Sequence, residues 1–292
     1  MTRPILTLLL VLIGAMGAMG AMGAGMEGLA QRAVFSSRVE SVRVDVMVTD
    51  GGRPVHGLQP SDFDVLDNGV RQQVETVSFD EVPLNVVLTL DMSGSLAGDR
   101  LRNLRTAGGA VLDGLTKMDQ AALVTFRSAV TLGSPLTRDI PVVRSALEAA
   151  LPDGDTSLVD GLYAATLIGE TDVGRALVIA FSDGLDTSSW LAARSVLDTA
   201  KRSDVVVYGV SAGRGKSDFL SEMASITGGR VFEVEKTANL SAIFSGILQE
   251  FRQRYLISYT PRGVAATGWH QLTVRVKRAG AVKARTGYLA GP

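Results

Sequence analysis

The sequence predicts an α/β protein: a doubly wound sheet with helices on both faces, joined to a smaller β-sandwich-like subdomain built from the N- and C-terminal flanks. Three observations carry this. Residues 83–251 alternate short apolar runs with segments whose apolar residues recur every three or four positions, as strands followed by helices do. Residues 37–82 and 252–292 instead alternate apolar and polar residues at period two and carry turn signals. Each flank alone is too short to enclose a secure core, so it needs a partner surface.

Residues 1–30 stand apart. Arg3 supplies a positive start, Ile5 to Ile13 an apolar stretch, and a Gly-Ala-Met repeat follows. This pattern reads as a signal peptide, with Gly28-Leu29-Ala30 as a small-x-small cleavage site, and predicts a secreted or periplasmic protein. Ile5 to Ala24 is also about the ~20 residues that span a bilayer, so an uncleaved membrane anchor is the alternative. The chain has no cysteine, so neither a lipid-bearing thiol nor a disulfide is available to it.

In the N-terminal β segment, 37–82, Val42, Val44, Val46 and Val48 alternate with Arg43, Asp45, Met47 and Thr49, the pattern of a half-buried strand. Asp50-Gly51-Gly52 turns the chain. Phe63-Asp64-Val65 then leads into Asp67-Asn68-Gly69, a hairpin signal, with Val70 to Phe79 as the return strand.

The α/β part, 83–251, opens on the apolar run ending at Asp91. Leu101, Leu104, Gly108, Val111, Leu115 and Met118 give the first helix its apolar face. Ala121 to Phe126 and Ala129 to Leu132 read as a hairpin, and helices follow at 140–151 and from the Thr156 loop onward. Ala176 to Phe181 and Val205 to Val210 are continuous apolar strands separated by a helix through Leu191, Val196 and Leu197. A helix at Phe219 to Ile226, an edge strand at Val231-Phe232 and a last helix with Leu240, Phe244, Ile247 and Phe251 complete it.

The C-terminal β segment, 252–292, runs Tyr255 to Tyr259, then Leu272, Val274 and Val276 in alternation, a turn at 278–280, and Val282 to Tyr288. It has eight basic residues and no acid, while 37–82 has nine acids against four arginines. Opposite charge on two half-sized β segments predicts that they pair into one subdomain. Arg275, Lys277, Lys283 and Arg285 share one parity and read as a solvated face. Across the whole chain the charges nearly cancel, at −1. That excludes the basic excess that non-specific nucleic-acid binding requires.

Chemistry concentrates where the first α/β strand ends, at Asp91-Met92-Ser93-Gly94-Ser95. A central strand of a parallel sheet delivers its last residues to the carboxyl edge, where open α/β folds bind ligands. Asp91, Ser93 and Ser95 fall at alternate positions, and Gly94 relaxes the turn between the two serines. A carboxylate and two hydroxyls form an oxygen-only set suited to Mg²⁺, Mn²⁺ or Ca²⁺.

Asp-x-Ser-Gly-Ser in this setting resembles the first segment of the metal-ion-dependent adhesion site of von Willebrand factor type A (vWA) domains, whose sheet is Rossmann-like. That family completes its site with a Thr from one later loop and an Asp from another. Gly154-Asp155-Thr156-Ser157-Leu158 and Phe181-Ser182-Asp183-Gly184 occupy those places. The flanks, with Val-Asp-Val-Met-Val-Thr-Asp-Gly-Gly, Asp67-Asn68-Gly69, Tyr255-Leu-Ile-Ser-Tyr-Thr-Pro261 and Thr-Gly-Tyr288, look like the acidobacterial-type VWFA-related family of exported proteins. The resemblance implies that Ser93, Ser95 and Thr156 touch a metal directly or through water while Asp91 and Asp183 act from behind them. Hydroxyl ligands with carboxylates only behind them leave such a cation under-neutralised with an open coordination position, which predicts a non-enzymatic adhesion-type module whose cation engages a Glu or Asp of a partner protein. Asp155 and Asp186 are candidate rim residues beside that site.

Two other motifs compete. Gly209-Val210-Ser211-Ala212-Gly213 matches the G-x-S-x-G of serine hydrolases, with Ser211 as nucleophile. Only His270 lies downstream to serve as its base, and it falls in the C-terminal β segment. Gly215-Lys216-Ser217 suggests a phosphate loop, but its leading Gly is replaced by Val210. His56 and His270, the only histidines, lack a second His or Cys for zinc and read as surface or strand residues. A closed, purely structural metal site and a metal that activates water remain as further readings of the oxygen cluster.

Overall fold

In the computed structural model, which describes residues 41–79, 81–212, 217–277 and 280–291, strands and helices follow one another much as their periodicities require. The proposed export segment, 1–30, residues 213–216 of the phosphate-loop reading, and residues 278–279 of the predicted turn at 278–280 lie outside the described residues. Numbered along the chain, β1 (Val42–Asp50), β2 (Arg53–Pro54), β3 (Phe63–Asp67), β4 (Val70–Gln72) and β5 (Thr76–Phe79) come first. The α/β part follows with β6 (Leu84–Asp91), α1 (Asp99–Asp113), β7 (Gln120–Phe126), β8 (Val130–Thr137), α2 (Ile140–Ala149) and α3 (Leu158–Gly169). It continues through β9 (Arg175–Ser182), α4 (Ala193–Arg202), β10 (Val206–Ser211), α5 (Asp218–Thr227), β11 (Val231–Glu233) and α6 (Leu240–Arg252). The chain closes with β12 (Tyr255–Tyr259), β13 (Gly268–Val276), β14 (Ala281–Lys283) and β15 (Gly287–Ala290).

The six-stranded sheet has the order β11-β10-β9-β6-β7-β8, parallel except for β8. Every residue of β6 and of β9 is buried, as expected of strands covered on both faces. Leu104 and Val111 of α1, Val143 and Leu147 of α2, and Phe244 and Ile247 of α6 pack on one face. Leu158 and Leu162 of α3, Val196 of α4, and Leu220 and Met223 of α5 pack on the other. From β6 the chain goes first to β7 and β8, then returns past β6 to β9. The winding direction therefore reverses between β6 and β9, and ligand crevices open at the carboxyl end of such a switch point.

The two flanks form two further antiparallel sheets, β14-β1-β12-β5, with β2 on β1, and β15-β13-β3-β4. Strands from either side of the α/β part interleave: Val44 pairs with Ile257, Val65 with Val274, and Val48 with Val282. Their shared core contains Val44, Val46, Phe63, Val65, Tyr255, Ile257 and Leu272. Asn68 and Gly69 adopt the positive φ that a two-residue hairpin requires, so the turn forms where Asp67-Asn68-Gly69 predicts it.

Several details differ from the sequence reading. Val70 to Phe79 is not one return strand: β4 stays beside β3 while β5 crosses to pair with β12 in the other sheet. Val282 to Tyr288 is likewise broken, with β14 on β1 and β15 on β13. The break falls at Arg285, which is buried rather than solvated; its guanidinium donates to the Gly287 and Lys201 carbonyls. Lys283 is half-buried too, and burial together with the Arg254 and Arg230 charges pulls its ammonium down to about 8. β1 is buried on both faces, because Asp45 on its second face receives the Arg175 guanidinium from β9. Helix α1 ends at Asp113 instead of reaching Met118, which is exposed in the following turn. Leu191 precedes α4 and is exposed.

Of the surface or strand places expected for His270 the structure gives the strand: it lies in β13 and is buried. Its Nδ1 meets Asp67 Oδ1 at 2.7 Å, while the Tyr259 and Tyr288 hydroxyls donate to Asp67 Oδ2 at 2.9 and 2.8 Å. This cluster ties β3, β12, β13 and β15 together across both flanking sheets. Among the described residues no helix is long and apolar enough to cross a membrane.

Candidate metal centre

Asp91 is the last residue of β6, and its carboxylate is spent organising the turn that follows. Its Oδ1 accepts the Ser93 N–H at 2.8 Å and its Oδ2 accepts the Ser182 hydroxyl from the end of β9 at 2.7 Å. Burial pushes the Asp91 carboxyl above the ordinary carboxylate range; the Ser182 and Ser93 hydrogen bonds counter that rise, and the neighbouring Asp183 charge adds to it. The Ser93 and Ser95 hydroxyls lie 3.1 Å apart, and Ser95 donates to Asp183 Oδ1 at 2.8 Å. Four of the five predicted metal-site residues, Asp91, Ser93, Ser95 and Asp183, thus form one hydrogen-bonded cluster across the gap between β6 and β9.

Thr156 arrives on the loop before α3. Its hydroxyl lies 3.7 Å from where a Cβ on Gly184 would stand, which sets it beside the Asp183–Gly184 turn. Gly154 lets this loop approach. Its φ is +71°, and a Cβ there would meet the Ser128 hydroxyl at 2.4 Å. Gly94 N–H bonds the Gly154 carbonyl at 3.1 Å, and Asp153 N–H bonds the Met92 carbonyl at 2.8 Å. Thr187 and Ser188 N–H groups both reach the Thr156 carbonyl, at 2.8 and 3.1 Å. The three loops are cross-linked by backbone as well as by side chains, so their oxygens are held before any ligand arrives.

The rim residues divide. Asp155 is exposed, and its N–H is fixed on the Ser128 hydroxyl at 2.9 Å. Asp186 is exposed too, but its Oδ1 accepts the Val159 N–H in the first turn of α3 and the Ser189 hydroxyl. It pins the loop to the helix start, which is where an acid is favoured. Asp160 does the same from the helix side, accepting both Trp190 and Leu191 N–H groups at 2.9 Å. On this pinned loop Trp190 is 92% exposed and Leu185 54%.

Two participants escaped the sequence reading. Ser182 was visible only as the residue between Phe181 and Asp183, and nothing in its spacing marks it as a partner of Asp91. Arg100 donates from Nη1 to Asp183 Oδ2 at 2.9 Å. The signal available for it was a basic residue in the first turn of a helix, where the dipole disfavours one. Ser211 ends β10 in the same sheet, but among the described residues no hydrogen bond joins its side chain to a histidine; His270 is committed to the Asp67 cluster.

A divalent cation fits this donor set. Serine and threonine hydroxyls with carboxylates behind them are hard oxygen donors, and no group of three or more His, Cys, Asp or Glu among the described residues offers a competing metal cluster.

With this geometry in view, the family model described as von Willebrand factor type A domain matches residues 85–246. Among curated proteins, the chain is 30% identical to calcium-activated chloride channel regulator 1 of Bos taurus over 173 residues, 56% of this chain and 19% of that one. It is 30% identical to inter-alpha-trypsin inhibitor heavy chain H4 of Bos taurus over 98 residues, 32% of this chain and 11% of that one. The chain thus spans about a tenth to a fifth of the length of the curated relatives it matches. Among solved structures, a von Willebrand factor type A protein from Catenulispora acidiphila superposes with a TM-score of 0.53 at 13% identity, covering 78% of this chain and 72% of that one. Proximal thread matrix protein 1 from the mussel byssus, with a zinc-occupied MIDAS motif, gives 0.54 at 20% identity, covering 64% and 49%. At these identities the two structures speak for the fold.

Proposed function

Starting from the premise that this chain belongs to the von Willebrand factor type A domain family, we propose that it is a protein-interaction module using one divalent cation, Mg²⁺ in the first place, with Mn²⁺ or Ca²⁺ as alternatives. Ser93, Ser95 and Thr156 supply hydroxyl ligands, directly or through water, and Asp91 and Asp183 act from behind them. The observation that carries this is the cluster at the β6–β9 switch point, where hydroxyls and carboxylates from two strand ends share hydrogen bonds. Neutral hydroxyl ligands leave the ion under-neutralised. A cation held this way would keep uncompensated positive charge, and that charge would attract a Glu or Asp of a partner protein. The mussel protein's zinc-occupied motif supports the metal part of this reading.

Binding rather than catalysis is favoured because the Asp91 and Asp183 carboxylates are held in hydrogen bonds that position the cluster, and neither histidine is bonded to it. The exposed, pinned Trp190 and the exposed Leu185 provide an apolar margin beside the acid-binding point, the composition of an interaction hot spot. Residues 1–30 would direct the protein out of the cytoplasm, to act as a secreted or periplasmic module.

Calorimetry on the purified protein tests the site. One Mg²⁺ or Mn²⁺ should bind, and Asp91→Ala or Asp183→Ala should abolish binding while the protein stays folded by circular dichroism. Undiminished binding in both variants sinks the assignment. A fluorophosphonate probe checks the hydrolase reading: no labelling is expected, and stoichiometric labelling lost in Ser211→Ala would reinstate it.

A further inference from the structure

Arg100 occupies an unfavourable position for a cation. It is the second residue of α1, and the amino end of a helix carries a partial positive charge that repels it. The neighbouring basic residue in that turn, Arg102, is neutralised by Asp99. Arg100 instead reaches across to the far loop and pairs with Asp183. The pair is lopsided: the Asp183 side chain is 2% exposed, whereas that of Arg100 is 52% exposed. The carboxylate is fixed in the cluster, its Oδ1 held by Ser95, while the guanidinium reaches in from solvent and has a route back out.

This arrangement puts a tethered positive charge on one of the two carboxylates that the proposed metal site relies on. Asp91 has its own compensation in the Ser93 and Ser182 hydrogen bonds, so the negative charge most available to an incoming cation is that of Asp183. Arg100 and a divalent ion seek the same charge from adjacent positions, and two like charges at that separation repel.

We infer that Arg100 is a built-in competitor for the metal: it neutralises Asp183 when the ion is absent and sets the ion's affinity by having to yield when it binds. The inference rests on the metal reading proposed above. It has two physical consequences. The metal-free cluster is kept from carrying an uncompensated buried carboxylate, which otherwise costs stability. Metal occupancy is also held to conditions where the ion is concentrated enough to displace the guanidinium, so the domain becomes a sensor of divalent-ion level as well as a binder. Once displaced, the exposed guanidinium stands beside the ion, where a partner's carboxylate arrives.

The test compares full-length wild type with Arg100→Gln and Arg100→Lys by titration calorimetry with Mn²⁺ and Mg²⁺, and by thermal melting in EDTA and in saturating Mg²⁺. Arg100→Gln should bind the ion about tenfold more tightly, the size expected for removing one unit charge at ~6 Å from a divalent ion even at the permittivity of water. Arg100→Lys, which keeps the charge, should stay near wild type. In EDTA Arg100→Gln should melt below wild type, and Mg²⁺ should shrink or reverse that difference. Equal or weaker binding by Arg100→Gln, with the wild-type titration intact, overturns the inference and leaves the metal site standing. A melting deficit of the same size with and without Mg²⁺ also overturns it, since that is what a tie between α1 and the loop would give. If wild type itself binds no ion, the metal reading fails first and this inference falls with it.

Discussion

Asp119 illustrates how one carboxylate closes the α/β part at its entrance. Its Oδ1 accepts the Leu84 N–H at the start of β6, and its Oδ2 accepts the Thr116 N–H and hydroxyl and the Arg252 guanidinium at the end of α6. Burial works to raise its pKa, but these donors prevail and hold the carboxyl below the usual range. A depressed pKa contributes stability that is present above the unfolded value of about 3.9 and is lost as the pH falls through the folded value. Asp119→Asn should therefore cost about 2 kcal/mol at pH 7, the worth of a buried charge-assisted hydrogen-bond set. The gap to wild type should close only below about pH 4. Urea unfolding at pH 7, 5 and 3 measures it, and a gap that persisted unchanged at pH 3 would contradict this account.

At the scale of elements, α3 carries the Thr156 loop into place because Gly161 lets the helix lie directly on β7. A Cβ at position 161 would come within 2.6 Å of the Phe126 ring, which is fully buried and has nowhere to move. Gly161→Ala should destabilise the protein by about 1–3 kcal/mol, the usual cost of overpacking, despite alanine's better helix propensity. Pushing α3 outward also moves the Thr156 loop away from Asp183, so metal affinity should fall even though no proposed ligand is altered. Calorimetry and thermal melting on this single variant separate the idea from a purely local effect: full affinity in a destabilised protein would mean that the loop is positioned independently of the helix.

At the scale of the whole molecule, the flanking sheets and the α/β sheet are joined by charge as well as by apolar packing. Arg175 on β9 donates from Nε to Asp45 on β1 at 2.8 Å and from Nη2 to the Phe251 carbonyl at 3.1 Å, and it lies 4.6 Å from the Phe251 ring centroid. Asp45→Ala leaves a buried guanidinium without its counter-ion and should cost about 3–5 kcal/mol. Adding Arg175→Met should recover much of that loss, because the second change removes the stranded charge. Double-mutant unfolding curves decide it. Deleting 270–292 removes β14 from the Met47–Thr49 end of β1 and β13 from β3, so amide exchange there should rise sharply while metal binding is largely retained. Unchanged exchange at Met47 to Thr49 would contradict the pairing.

What could be read from the sequence alone was whatever depends on local period and local chemistry. Runs of apolar and β-branched residues identify β6 and β9 as strands covered on both faces, and three- and four-residue spacing identifies the helices. Asp-x-Ser-Gly-Ser at a strand end predicts an oxygen cluster at the sheet's carboxyl edge. Opposite charge on the flanks predicts that they meet. Only the tertiary structure decided which distant groups share a hydrogen bond, because such partnerships leave no periodicity behind. Ser182 on Asp91 and Arg100 on Asp183 are of this kind, and so is the division of Val70–Phe79 and Val282–Tyr288 between two sheets. Asp67 stands at least 192 residues from Tyr259, His270 and Tyr288, and all four look like ordinary strand and turn residues. In the fold they converge on one buried carboxylate, since a polar group removed from water must find its partners wherever the chain can bring them.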